Sequence, residues 1–172
     1  MPYNKPIKCG TAKAWLGSAS LHSLAKHLSA LYWGVSCTRK LMSNIIENAV
    51  IENIAKMNDV WINIFLSNQL SISVECFFRF LDVNGNIELT SDDWCSSDYD
   101  EDSLGLMKNL TIGATVTKVT IKEKPGDLTL VLSNGNSIEI YAHSSVYESW
   151  SVNGKQGTIL EVGQNRGVQK YS

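Results

Sequence analysis

Apolar side chains recur at every second position in residues 61–66 and again in residues 127–132. This alternation is typical of a β-strand that buries one face in a core and leaves the other face mixed. In both stretches the even-numbered positions hold only Ile or Leu, whereas the odd-numbered positions hold Trp, Asn, Phe, Asp, Thr and Val. We therefore predict a half-buried strand in each stretch.

Dipeptides that favour tight turns separate these strands from other apolar runs. Asn84-Gly85 predicts a hairpin between residues 77–81 and 87–89, and Pro125-Gly126 predicts one immediately before residues 127–132. Glycine supplies the positive φ angles that such turns require, so each dipeptide marks a reversal of the chain.

A third predicted hairpin follows the second alternating stretch. Asn134-Gly135 precedes Ile138 and Ile140, where the alternation resumes. The corresponding turn after residues 61–66 is Asn68-Gln69. Because Gln adopts positive φ less readily than Gly, we expect that turn to be looser.

The two alternating stretches belong to a longer internal similarity. A shift of 66 residues superimposes them without a gap, and it also places Ile46 on Ile112 and Val50 on Val116. Duplication of one β unit is the simplest explanation, because the register extends from the first predicted strand of each half to the third. The shift aligns Ile62, Ile64, Leu66, Ser67, Asn68, Ser71, Ile72 and Val74 with Leu128, Leu130, Leu132, Ser133, Asn134, Ser137, Ile138 and Ile140.

These patterns predict a mainly β (α+β) domain. Two antiparallel meanders of three or four strands, at approximately residues 46–90 and 110–155, would pack together, with a short helix near residues 103–110 between them. Neither half can bury its apolar face alone, so the halves must share one core. The predicted core residues are Ile62, Ile64, Leu66, Ile72, Val74, Leu128, Leu130, Leu132, Ile138 and Ile140.

Charge divides the 172 residues into two parts. The first 41 residues hold six Lys and Arg and no acid, whereas the other 131 hold nine Lys and Arg against all 17 Asp and Glu, a net charge of −8. Length and composition are those of one globular domain, which we place at residues 42–172 after a basic extension at residues 1–41. No apolar run is long enough for a membrane helix.

The basic extension contains one predicted amphipathic helix. Ser20 is suited to cap its start, apolar residues follow at helical spacing, and Gly34 is suited to end it. Three interpretations stay open for the extension. It is an appendage outside the main fold, it is a transit peptide, or Met42 is the functional start.

Acids are densest in one short segment of the second part. Such a segment attracts basic proteins through an attraction that weakens as salt rises, and aromatic residues within it are candidates for binding hot spots. The alternative is a solvated connection without a binding role. The predicted partner-binding residues are Asp92, Asp93, Trp94, Asp98, Tyr99, Asp100, Glu101 and Asp102.

Common catalytic and nucleotide-binding motifs are absent from the sequence. Four widely spaced Cys and three His argue against a zinc finger or a disulfide scaffold, so we expect free thiols in a reducing compartment, no metal and no cofactor. A Ser-His-Glu arrangement of Ser144, His143 and Glu148 is disfavoured, because neighbours at a strand end point to different sides. Nucleic-acid binding is disfavoured by the charge of −8.

One stretch resembles a known family. Gly126 to Gly135, Ile138 to Ile140 and Tyr147 to Val152 are similar to the "GDLxLxFSNGxxLxI…YESWxI" pattern of a family of small bacterial proteins, and the resemblance covers about residues 42–155. Similar proteins occur as immunity proteins that neutralise toxins of contact-dependent inhibition and related systems. The resemblance therefore implies a β domain that binds another protein, with no family catalytic residues to transfer.

The resemblance and the charge pattern lead to the same expectation. We expect a cytoplasmic, non-catalytic immunity protein that binds a cognate toxin domain, most simply a basic nuclease, and that binds neither nucleic acid nor membrane. The alternative is a small-ligand-binding or hydrolytic β domain whose cleft lies near His143, Tyr147, Glu148 and Trp150. Under either function, the motif residues Tyr147, Glu148 and Trp150 can be purely structural, with Trp150 in the core and Glu148 accepting hydrogen bonds from backbone donors.

Overall fold

A computed structural model describes residues 45–57, 61–94, 100–122, 124–143, 147–163 and 168–171. The predicted basic extension and its amphipathic helix lie outside these residues. The described part contains eleven strands and the helices α1 (Ser91–Trp94) and α2 (Asp100–Thr111). The strands are β1 (Ile51–Lys56), β2 (Ile62–Leu66), β3 (Ser71–Val74), β4 (Phe77–Leu81), β5 (Ile87–Thr90), β6 (Val116–Ile121), β7 (Leu128–Leu132), β8 (Ser137–Tyr141), β9 (Glu148–Gly154), β10 (Gly157–Gly163) and β11 (Val168–Lys170).

The strands form two antiparallel sheets. One sheet has six strands in the order β1-β2-β3-β9-β10-β11, and the other has five in the order β5-β4-β8-β7-β6. The predicted meanders of three strands are present as β1–β3 and β6–β8. The predicted hairpins at Asn84-Gly85, Pro125-Gly126 and Asn134-Gly135 and the connecting helix α2 are confirmed as well.

After its third strand, each half of the chain crosses to the other sheet. The β4–β5 hairpin pairs with β8, and strands β9–β11 continue from β3. Each sheet is therefore built from both halves of the chain. This exchange brings together residues that are far apart in sequence, such as Arg79 and Glu139, which are direct neighbours across the β4–β8 ladder.

The two sheets bury one hydrophobic core. All ten predicted core residues are at most 2% exposed. Phe78, Phe80 and Trp150 are buried with them, and Phe78 and Phe80 meet edge to face with their ring centroids 5.9 Å apart. The alternation of the sequence therefore identified the buried face of the strands correctly.

Equivalent hydrogen bonds occur in the two meanders. The backbone N–H of Val50 donates to the hydroxyl of Ser67 at 3.0 Å, and that of Thr115 donates to the hydroxyl of Ser133 at 3.0 Å. Val50 and Thr115 also form an antiparallel bridge with each other. These contacts relate the first strands by 65 residues and the following turns by 66, so the predicted alignment of Val50 with Val116 is wrong by one position. A duplication stays an interpretation of the sequence.

The turn at Gln69 is as tight as its counterpart at Gly135. Gln69 has a φ of 67° and Gly135 a φ of 89°, and each N–H donates to the carbonyl three residues earlier at 3.0 Å. The expected loose turn is therefore wrong. The side chain of Asn68 explains the difference, because its amide donates to the carbonyl of Ile45 and its carbonyl accepts from the N–H of Leu70. Among the described residues, no helix is long and apolar enough to cross a membrane.

Candidate functional site

Helix α1 carries the first two acids of the predicted partner-binding segment, and both are exposed. The carboxylate of Asp93 accepts hydrogen bonds from the backbone N–H and the hydroxyl of Thr90 at 2.9 and 2.8 Å. The N–H of Asp93 in turn donates to that hydroxyl at 3.4 Å. These reciprocal bonds cap the start of the helix. Asp93 therefore has a structural role, whereas Asp92 is presented to solvent.

The rest of the predicted acidic site is described in part. Trp94 ends α1, and the acids at positions 100–102 form the first turn of α2. Acids are favourable there because the helix dipole is positive at its N-terminus. Asp98 and Tyr99 lie outside the described residues.

The motif at residues 147–150 places one aromatic side chain in the core and one outside it. Trp150 is 0% exposed, and its indole N–H donates to the carbonyl oxygen of Gly126 at 2.8 Å. Tyr147 is 74% exposed. Glu148 is exposed as well, and within the described residues its carboxylate accepts no hydrogen bond from a backbone N–H. The structural role predicted for Trp150 is therefore present, and the one predicted for Glu148 is not.

The alternative cleft near His143 does not fit the positions of its residues. His143 is exposed, with Nδ1 3.4 Å from the carbonyl oxygen of Tyr141, and Ser144 lies outside the described residues. Trp150 is enclosed in the core, so it cannot line an open cleft with His143 and Tyr147. Sequence proximity misled the prediction here, because successive residues of a strand alternate between the two faces of its sheet.

An ordered polar and aromatic cluster lies on the outer face of the five-stranded sheet. The Nε of Arg79 and the hydroxyl of Tyr141 both donate to the same carboxylate oxygen of Glu139, the latter at 2.6 Å. The guanidinium carbon of Arg79 lies 5.1 Å from the ring centroid of Tyr141, which is a cation–π distance. Phe77 packs beside Tyr141 with ring centroids 5.8 Å apart. We call these four residues the Arg79 cluster.

The Arg79 cluster shifts the titration of its own members. Burial, followed by the hydrogen bond to Glu139, raises the pKa of Tyr141 to about 12. Burial by itself would raise the pKa of Glu139, but the hydrogen bonds from Tyr141 and Arg79 outweigh it, and that pKa is lowered. At neutral pH the three polar groups are therefore held as a cation, an anion and a neutral phenol.

Sequence analysis missed this cluster. Each strand pattern correctly places Arg79 and Glu139 away from the core, but the pairing of β4 with β8 arises from the exchange of strands between sheets. A local period of two residues specifies a face and does not specify the neighbouring strand.

A second group of acids lies on the six-stranded sheet. Burial, followed by repulsion from Glu148 and Glu161, raises the pKa of Glu75. Burial, chiefly, also raises the pKa of the free Cys76 thiol, to about 12, so this thiol is an unreactive core group. Within the part of the chain that the structure describes, no three His, Cys, Asp or Glu side chains are arranged to hold a metal ion.

The fold and the surface define a two-sheet antiparallel β domain whose ordered polar cluster lies on a sheet face. The chain belongs to a family described as a family of unknown function, DUF6188, whose model matches residues 42–168. No curated protein and no solved structure matches the chain.

Proposed function

We propose that this chain is a non-catalytic, protein-binding domain that acts in the cytoplasm as an immunity protein against a basic toxin domain, most simply a nuclease. The observation that carries the proposal is the Arg79 cluster. It offers a partner an arginine and a tyrosine, two residue types enriched at binding hot spots, on a sheet face.

The cluster is preorganised by its internal hydrogen bonds. The side chains of Arg79 and Glu139 are 33% and 23% exposed, so both remain accessible to a partner. Because Glu139 fixes both Arg79 and Tyr141, their side chains lose little rotamer freedom when a partner binds. Interactions made by groups that are already ordered contribute more of their energy to affinity.

The acidic segment begins beside this cluster. Thr90, which caps α1, is the direct neighbour of Arg79 across the β4–β5 ladder. Asp92 and the acids that follow would steer a basic partner toward the sheet face, and the Arg79 cluster would then anchor it. The charge of −8 on residues 42–172 favours a positively charged partner over nucleic acid.

The test is binding to the polypeptide encoded beside the gene for this chain. Co-expression of the two should give a stable complex on size-exclusion chromatography, and the purified immunity protein should abolish the toxicity of that polypeptide. Neutralising four acids of the segment should slow association and flatten its dependence on salt. Absence of a complex would contradict the proposed function, and an unchanged association rate would remove the acidic segment from it.

A further inference from the structure

The outer face of the six-stranded sheet carries a fixed polar network. The side-chain amide of Asn153 donates to the hydroxyls of Ser73 and Ser151, both at 3.1 Å, and its carbonyl accepts from the hydroxyl of Thr158 at 2.8 Å. Ser73 in turn donates to the carbonyl of Asn63 at 2.6 Å. Asn153 is therefore held in one orientation, and it forms a rigid polar floor.

A groove of about 280 Å³ lies at the end of this network, between the β2–β3 and β9–β10 turns. Phe65 and Leu70 supply its apolar surface, and Ser71 and Asn153 are polar residues beside them. The volume is near the lower limit of roughly 300 Å³ for small-molecule sites. The groove is therefore large enough for a small ligand and too small for a folded domain.

Gly154 brings the two turns close together. A Cβ at this position would lie 3.3 Å from a methyl carbon of Leu70 and 3.1 Å from one of Ile159. Its neighbour Lys155 reaches one side of the groove, and Glu52 on β1 contributes a carboxylate.

The equivalent place in the five-stranded sheet is apolar. There Leu81 is the ladder neighbour of Ser137, as Asn153 is of Ser71, but Leu81 is only 9% exposed. Val83 next packs against Gly135, with a methyl carbon 3.0 Å from where a Cβ of Gly135 would lie. Polar and charged groove residues are therefore a property of the six-stranded sheet and do not follow from the strand pattern that the two sheets share.

We propose that this groove binds a small zwitterion with an apolar side chain, namely a free amino acid or a dipeptide. Glu52 would bind its ammonium group and Lys155 its carboxylate, while Phe65 and Leu70 contact the side chain. Glu52 and Lys155 are exposed and form no ion pair with another described residue, so binding breaks no existing pair. This inference is independent of the proposed immunity function.

The hydroxyl of Ser71 adds a third polar contact. It forms no hydrogen bond with another described residue, and it can donate to a ligand carboxylate or accept from a ligand amide. An uncharged sugar would leave both charged side chains unused, and an inorganic anion would use only Lys155. The combination of opposite charges with an apolar surface therefore selects a zwitterion.

The experiment is an NMR titration of the full chain with the dipeptide leucylleucine. Amide shifts should concentrate at Ser71, Gly154 and Lys155 and should saturate in the millimolar range. The variants Glu52→Gln and Lys155→Gln should each weaken binding about threefold, the effect of losing one exposed ion pair. Lys118→Gln, an exposed lysine on the other sheet, is the matched control and should not change binding.

Blocked ligands identify which charge meets which residue. N-acetylated leucylleucine should bind more weakly and should be insensitive to Glu52→Gln, and the C-terminal amide should be insensitive to Lys155→Gln. Absence of saturable shifts at the groove would overturn the proposal. Equal shifts with methyl glucoside, or equal binding of all blocked forms, would overturn it too, because the charges would then have no role.

Discussion

The indole N–H of Trp150 donates to the carbonyl oxygen of Gly126 at 2.8 Å, and this bond fastens the β6–β7 turn over the core. Trp150 is fully buried, so neither partner of the bond has water as a substitute. The same turn approaches β10 closely, because a Cβ on Gly126 would lie 2.4 Å from a methyl carbon of Val162. The turn and the motif therefore depend on each other.

We expect Trp150→Phe to lower the free energy of unfolding by about 2–4 kcal/mol, since it leaves a cavity and removes the hydrogen bond. Gly126→Ala should also destabilise, because Gly126 has a φ of 109° and no room for a methyl group. Urea unfolding measures both. Gly105→Ala is the control. It lies in α2 with open space around it, and it should be neutral or stabilise by up to about 1 kcal/mol. Unchanged stability of Trp150→Phe would contradict this account of the motif.

The extent to which the sequence predicts this structure differs between the core and the surface. Alternation at residues 61–66 and 127–132 identified β2 and β7 and their buried faces, because burial of one face imposes a period of two. The contact between Arg79 and Glu139 was not predictable, because it needs strands from different halves of the chain to pair. The turn at Gln69 shows a related limit. Its positive φ is stabilised by Asn68, which contacts Ile45 far away in sequence.

Tyr141 should make stability depend on pH in the alkaline range. Its pKa is raised from 10.0 to about 12 in the folded protein, so the folded state keeps its phenol proton more tightly than the unfolded state does. The resulting stabilisation is complete below pH 10 and is lost as pH rises toward 12. Tyr141→Phe should lower the free energy of unfolding at neutral pH by about 1 kcal/mol and reduce the alkaline loss. Tyr147→Phe, on an exposed tyrosine, is the control. An alkaline loss that is the same in all three proteins would contradict the prediction.

Glu75 should have the opposite effect on the charge balance at neutral pH. Its pKa is raised in the folded state, chiefly by burial and then by Glu148 and Glu161. The folded state therefore favours the protonated acid, and stability should be greatest below the ordinary pKa of 4.5 and should fall as pH rises through the raised pKa. Glu75→Gln should remove this fall and be more stable than the native chain at pH 7. Urea unfolding across the acidic range measures the effect, with exposed Glu88→Gln as the control. Parallel pH profiles for the native chain and Glu75→Gln would count against it.

Asp92 and Asp93 should separate binding from stability, although they are adjacent and equally charged. The Asp93 carboxylate accepts two hydrogen bonds from Thr90 at the start of α1, whereas Asp92 is exposed and caps nothing within the described residues. Asp93→Asn should weaken the cap and lower the free energy of unfolding by about 1 kcal/mol or less, because Asn is itself an acceptable cap, and Asp93→Ala should lower it by about 1 kcal/mol. Asp92→Asn should leave stability unchanged and slow association with a basic partner, most clearly at low salt. Urea unfolding and stopped-flow association at two salt concentrations distinguish the two roles. If Asp92→Asn instead destabilises the domain while Asp93→Ala does not, the assignment of the cap is wrong, since the same negative charge is removed in both cases and only the hydrogen bonds differ.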